Sequence, residues 1–247
     1  VKRLLYRSMA LFSDNISERS LEIDHKIGRA ITIIGIPSAF LLHGYVGFIF
    51  GSIKATPWWP TPLMPVVFLF SAIVSGIAGV LVIYMAYTVL RKKKLDMLCL
   101  DTIASYLLYA FIIDFALEML DLIHRIYVAD ESFHSLDFLL HTRLWTSHIV
   151  LQIVVGTLIP IAILGTLQMV MSSESFRKWA YRVAALLTQV GIFAMRWNVV
   201  IGGPLFWKSF LGYTSYKMGF ATREGLLPAL LLMALPFVIL AVLLYLL

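Results

Sequence analysis

Cysteine is nearly missing from this chain of 247 residues, where Cys99 stands alone. One cysteine excludes a disulfide framework, a four-cysteine iron–sulfur cluster and a thiolate zinc site within the chain. Charge is scarce as well. Only 14% of residues are charged, against about 25% in a soluble domain. Too few polar groups remain to coat a surface facing water. A soluble enzyme, a disordered tail and a nucleic-acid-binding domain are therefore poor readings. A secretory signal pattern is absent too: the chain opens at Val1 on a polar, basic stretch, which points to further sequence upstream or encoded elsewhere.

What is present is apolar. Hydrophobic residues make up 60% of the chain and mean hydropathy is +0.88. The net charge of +6 suits the cytoplasmic loops of a membrane protein. A spanning helix needs roughly 20 apolar residues, because a rise of about 1.5 Å per residue must cross about 30 Å. Six stretches qualify, at 26–51, 61–90, 98–128, 145–171, 176–200 and 225–247. None alternates as a barrel strand would, and only helices or closed barrels satisfy their backbone in lipid. The expected fold is all-α: a polytopic bundle of six spans over residues 26–247, after a polar cytoplasmic segment at 1–25.

Lysine and arginine set the expected orientation. Of the 20, 13 fall in Val1–Arg29, the Arg91–Lys94 run and the group Arg177, Lys178 and Arg182. Six alternating spans put those three segments on one side, which the positive-inside rule makes cytoplasmic. The protein is then a multi-pass protein of the cytoplasmic (inner) membrane. On this orientation the sequon Asn15-Ile16-Ser17 is cytoplasmic and carries no weight. Small residues at four-residue spacing, Gly47 and Gly51, then Ser71, Ser75 and Gly79, read as close helix packing. Trp58, Trp59 and Trp145 read as an interfacial belt.

The third span is not apolar throughout. At about 100° per residue, Asp114, Glu118, Asp121 and Arg125 share a stripe roughly 60° wide that climbs about 16 Å. Three carboxylates on one stripe cannot all face lipid as anions. They are protonated in part, paired with cations, or hydrated in a cavity. A proton relay needs such an arrangement, and His124 extends the candidates. An ion-pair network with Arg125 and Arg196 as counter-ions is the structural alternative. Asp101, off the stripe, reads as a solvated boundary residue. Arg196 is at the right depth to pair with Glu118 or Asp121, or to snorkel outward. His43, His124 and His148 all map to the outer half. They could ligate haem, exchange protons with a quinone, or simply be satisfied in place. No catalytic residue set and no metal site stand out.

The fifth span ends in Arg196-Trp-Asn198-Val-Val-Ile-Gly202-Gly203, which resembles the late Arg-x-Asn-Val-Val-Ile-Gly-Gly signature of the NrfD/PsrC family of polysulfide-reductase-type membrane subunits. Ile36-Pro-Ser-Ala-Phe-Leu-Leu-His43-Gly-Tyr45-Val-Gly-Phe-Ile-Phe-Gly51 is similar to a second family segment. Trp59-Pro-Thr-Pro-Leu-Met-Pro65 running into Ser71-Ala-Ile-Val-Ser-Gly76 is similar to a third. Pro204 and Trp207 depart from the family's Gln and Ser. Among its branches, the sequence is most similar to the DsrP-type subunit of DsrMKJOP complexes.

The resemblance implies two four-helix bundles, of which this chain would supply the C-terminal part. It implies an electron-transfer subunit, not catalytic alone, that exchanges electrons between menaquinol or menaquinone and an iron–sulfur, ferredoxin-like partner docked on the outer face. Further redox subunits would complete the complex, and no haem or iron–sulfur cluster is expected in this chain. His43, Tyr45 and Trp58 become the candidates for lining the quinone, and Asp114, Glu118, Asp121, His124 and Arg196 for moving protons. A proton-coupled secondary transporter and a di-haem cytochrome b anchor are the competing readings.

Overall fold

The computed structural model describes residues 17–56, 58–128, 137, 141–142, 144–170, 172–205, 219–223 and 225–246. Among these, six helices are long and apolar enough to cross a membrane, and no strand occurs. They are α1 (Glu18–Ser52), α2 (Met64–Leu90), α3 (Met97–Val128), α4 (Trp145–Met169), α5 (Glu174–Trp197) and α6 (Leu226–Leu246). The chain is an all-α, multi-pass membrane protein whose helices overlie the six expected spans, except that α1 begins at Glu18, eight residues before the expected start at 26. Of the N-terminal polar segment, residues 1–16 lie outside the described residues, as does Trp207.

Two compact units divide the chain. One comprises Val1–Pro37 with Ser215–Leu247, and the other Ser38–Thr214. The division cuts α1 at Pro37, which has no N–H to continue the helical ladder. The first unit holds α6, whose described side chains are largely exposed. In the second unit, α2 packs on α3, α3 on α4, α4 on α5, and α5 back on α2. That closed cycle is a four-helix bundle.

The bundle is filled in two parts. Towards the basic loops the filling is apolar, with Val74, Ala78 and Leu81 from α2, Leu107 and Phe111 from α3, and Ala184 and Ala185 from α5. The far half has a smaller apolar cluster of Met64, Val67, Phe68, Met195 and Val199. The polar side chains described below sit beside it.

Local chemistry explains the helix ends. Asp96 accepts from the backbone N–H of Leu98 at 3.0 Å and of Cys99 at 3.5 Å, an N-cap for α3. α2 ends with Lys92 at φ 50°. There Lys92 N–H bonds the Val89 carbonyl and Lys93 N–H the Thr88 carbonyl. This is a Schellman motif with lysine in the left-handed position that glycine usually takes. The Arg91–Lys94 run also complements the negative end of the helix dipole.

Two helices depart from α winding. The first part of α4, Trp145–Leu158, is π-helical and continues as α-helix from Ile159 to Met169. α5 passes into a π-helical turn, Asn198–Gly202, and then a 3₁₀ turn, Gly203–Leu205. Such segments are rare and are enriched at functional sites.

Asp101 is not simply solvated at the boundary. It accepts from Tyr181 Oη at 2.8 Å and pairs with Arg177, tying α3 to α5 near the basic loops. Helix packing does account for Gly47 and Gly51, because a side chain at either would strike the start of α2: a Cβ at Gly47 would stand 2.6 Å from Pro65 Cα. The closest approach is elsewhere, between Gly156 of α4 and Gly191 of α5. A Cβ at Gly191 would stand 2.7 Å from the Gly156 carbonyl oxygen. Gly191→Val should therefore cost about 1–3 kcal/mol of stability, read as a lower unfolding midpoint of the purified protein. Gly165→Ala, with nothing within 4 Å, should leave the midpoint unchanged or raise it.

Candidate functional site

The acidic stripe of α3 faces the interior of the bundle, and each carboxylate has a different environment. Asp121 is the best satisfied. Arg125, one turn on, donates from Nε to Oδ2 at 2.8 Å, and Thr61 donates from Oγ1 to Oδ1 at 2.5 Å. Both charged side chains are more than four-fifths buried. Glu118 receives both its contacts from one donor: Gln152 Nε2 lies 3.4 Å from each carboxylate oxygen. Asp114 is the deepest, only 2% exposed, and its Oδ1 has no hydrogen-bond partner. Its charge interacts with those of Glu118 and Arg196.

Gln152 connects this stripe to the other helices. Its Oε1 accepts from Asn198 Nδ2 at 2.8 Å and meets His148 Nδ1 at 3.0 Å. Asn198 is fully buried. Both amides come from π-helical segments, Gln152 from α4 and Asn198 from the turn after α5. The His148 ring is held from the side by Trp58, edge to face at 5.1 Å between centroids.

Arg196 does not bond Glu118 or Asp121. It donates from a terminal nitrogen to Ser71 Oγ at 2.8 Å and to the Phe68 carbonyl at 3.1 Å. Its guanidinium carbon lies 4.1 Å from the Phe68 ring centroid, a cation–π contact. The guanidinium thus binds α2 directly and reaches the stripe through its charge on Asp114. Asp121 already has its cation in Arg125.

The rest of the Arg196–Gly203 segment shapes the wall. Gly202 and Gly203 are buried. A Cβ on Gly202 would stand 2.9 Å from Leu144 Cδ1, and one on Gly203 2.9 Å from Trp59 Cε2. The two glycines let Leu144 and the Trp59 indole lie on the helix backbone, where Trp59 Nε1 donates to the Val199 carbonyl at 2.8 Å. Trp58 and Trp59 are accordingly part of the bundle wall, while Trp145 is exposed.

A cavity of about 70 Å³ runs beside these groups. Glu118, Asp121, Arg125, His148 and Gln152 supply its polar lining, and Trp58, Met64 and Met195 are among its apolar walls. At about 30 Å³ per molecule it has room for about two waters. Among the described residues, no group of three His, Cys, Asp or Glu side chains is placed to hold a metal ion.

The structure does not bring every sequence candidate here. His43 is exposed and its Nδ1 lies 3.0 Å from the Ala39 carbonyl of its own helix. Tyr45 is 61% exposed. His124 is exposed too, because it stands about 80° from the stripe at 100° per residue. Conversely, Gln152 and Thr61 are not among the sequence candidates. A glutamine four residues after a histidine in an apolar span is the signal that could have found Gln152.

With the geometry in place, residues 5–208 match the family model for polysulphide reductase, NrfD. The chain belongs to the NrfD family. A stretch of 72 residues is 39% identical to a selenate reductase subunit of Mesobacillus selenatarsenatis. That alignment covers 29% of this NrfD chain and 17% of the relative. No solved structure matches.

Gln152→Leu keeps the volume of this side chain but strips Glu118 and Asn198 of their shared partner. Interhelical hydrogen bonds in membranes average about 0.6 kcal/mol, with an unpaired buried group adding more. The expected loss is about 1–2 kcal/mol by thermal unfolding. Gln168→Leu, at the exposed hydrogen bond to Ser105, should change stability by less than about 0.5 kcal/mol.

Proposed function

We propose that this NrfD chain is a quinone-interacting membrane subunit of a reductase complex, in which the α3 carboxylates exchange the protons that accompany quinone chemistry. The observation that carries the reading is the ladder of buried Asp114 and partly buried Glu118 and Asp121 on one face of α3, with the middle rung lining a small cavity beside His148. Ionisable groups at membrane depth are functional by default. Glu118 is held by Gln152 of α4 and Asp121 by Thr61 in the loop before α2, contacts that fix their spacing as a relay requires.

The finer reading follows the resemblance. The quinone is a menaquinone, and the electron partner is an iron–sulfur subunit docked at the end of the bundle remote from the basic loops, with further redox subunits behind it. The same orientation makes that end the outer one. Family membership supports this, as does the similarity to part of a selenate reductase. Glu118 and His148 on the cavity wall suit the proton-exchanging end of a quinol. Trp58 borders the cavity, while His43 and Tyr45 present polar groups on the exposed face of α1, open to a ligand or partner there.

In this scheme a proton leaving a quinol passes to Glu118 by way of the cavity. Asp121 is held in place by Arg125 and Thr61. Asp114, interacting with Arg196 and lacking a partner on Oδ1, is the inner station. Glu118→Gln in the assembled complex should slow quinol-coupled turnover at least about tenfold, since positioned acid–base groups contribute about 10²–10⁴. Unchanged turnover with unchanged proton stoichiometry would sink the relay.

A further inference from the structure

The hydrogen-bond chain running from Glu118 through Gln152 to Asn198 and His148 has a direction that can be worked out atom by atom. An ionised carboxylate only accepts hydrogen bonds. With Glu118 ionised, the Gln152 atom facing both of its oxygens has to be the NH₂ group, as the 3.4 Å contacts place it. The other end of the amide is then a carbonyl oxygen, which also only accepts. Both groups on it have to donate: Asn198 through Nδ2 at 2.8 Å, and His148 through Nδ1 at 3.0 Å. A neutral imidazole has one N–H. If Nδ1 carries it, Nε2 presents a lone pair. Among the described residues nothing hydrogen-bonds Nε2, and His148 lines the cavity.

Asn198 makes this arrangement more than a chance orientation of one side chain. Gln152 alone could turn its amide over. Asn198 is fully buried, and its own Oδ1 is without a partner, so its single hydrogen bond is the one to Gln152. Turning Gln152 alone would set two NH₂ groups against each other. The two amides therefore hold one another, and Trp58 holds the imidazole plane against them.

We propose that Asn198 and Gln152 are positioning residues for His148. The amide pair fixes the Nδ1–H tautomer and makes Nε2 a hydrogen-bond acceptor at the cavity, a site for the hydroxyl of a reduced, hydroquinone-type ligand. Only the identity of that hydroxyl donor rests on the quinone reading above. A quinone carbonyl is itself an acceptor and meets a lone pair at Nε2, so the site discriminates by redox form. The polarity depends on Glu118. When Glu118 gains a proton, its hydroxyl donates to the amide oxygen and both amides turn over. The imidazole keeps one proton, moved from Nδ1 to Nε2. The charged or titratable groups around this chain are Asp114, Asp121 and Arg125 on α3, His148 on α4 and Arg196 on α5. From α2 comes only the neutral Ser71, through Arg196.

The test uses the full chain labelled with ¹⁵N-histidine in lipid nanodiscs, with the His148 signals assigned by their loss in His148→Gln. At about pH 9, where free carboxyls and imidazoles are deprotonated, the ring-nitrogen spectrum should show the Nδ1–H form. Asn198→Ala and Glu118→Gln should each lower the Nδ1–H fraction at least about twofold while the circular dichroism spectrum stays unchanged. An Nε2–H form in the unaltered protein overturns the proposal, and so does an unchanged tautomer in Glu118→Gln if Asn198→Ala does not fold. Anaerobic titration of the same nanodiscs with menadiol and menadione tests the ligand. Menadiol should bind about tenfold more tightly, equivalent to about 1.4 kcal/mol, with the preference lost in Gln152→Leu. Equal affinities overturn the redox discrimination. Binding of neither compound overturns the quinone reading and leaves the tautomer result to decide the positioning role.

Discussion

The carboxamide of Gln152 meets Glu118 from α3, Asn198 from the turn after α5 and His148 from its own helix, and the far half of the bundle is arranged around that contact. In lipid a polar group without a partner costs several kcal/mol. An anion costs more. Only a donor supplied by another helix can meet Glu118 without giving up the burial of its surroundings. The requirement fixes the relative positions of α3, α4 and α5 to within hydrogen-bond tolerance, which apolar packing in a membrane does not do. Lipid tails are as apolar as leucine, so side-chain burial between helices provides no hydrophobic drive there.

The two halves of the bundle divide the work. Next to the basic loops, small and branched apolar residues fill the space between helices, and the polar tie of Asp101 to Arg177 and Tyr181 lies at the rim. One turn beyond Phe111 the interior changes character at Asp114, and from there to Arg125 polar groups occupy the stripe. Gly156 and Gly191 lie between these regions and allow the backbones of α4 and α5 to touch. That close approach brings Gln152 and Asn198 within 2.8 Å. A larger residue at either glycine would separate the helices and break the amide pair before it affected the apolar core.

The spans were legible in the sequence because length and hydropathy decide them, although hydropathy missed the polar first turns of α1, which begins at Glu18 and not at 26. The acidic stripe was legible too. α3 is a regular α-helix, so counting 100° per residue puts Asp114, Glu118 and Asp121 on one face and leaves His124 outside it. The partners were not. Arg196 has the right depth for Glu118, but depth says nothing of azimuth, and the guanidinium is taken by Ser71 and the Phe68 carbonyl of a helix that carries no charge there. His43 and Tyr45 stand in a segment that resembles the family, yet Tyr45 lies about 160° around α1 from Gly47, which meets the start of α2, and His43, one turn before Gly47 on the same face, is exposed all the same.

Asn198 was marked in the sequence by the Arg196–Gly203 segment, whereas Gln152 was not. Both lie in π-helical segments, where the backbone bonds five residues back. Thr157 shows the altered register by donating from its hydroxyl to the Gln152 carbonyl five positions earlier. A wider winding costs hydrogen-bond geometry, and it persists where the surrounding contacts over-determine it. Here those contacts are polar ones: the amide pair, the carboxylate and the imidazole. If the winding and the network support each other, removing the network should relax the helix. The π-helical register of α4 and the contacts of Gln152 with Glu118, Asn198 and His148 occupy the same stretch of helix.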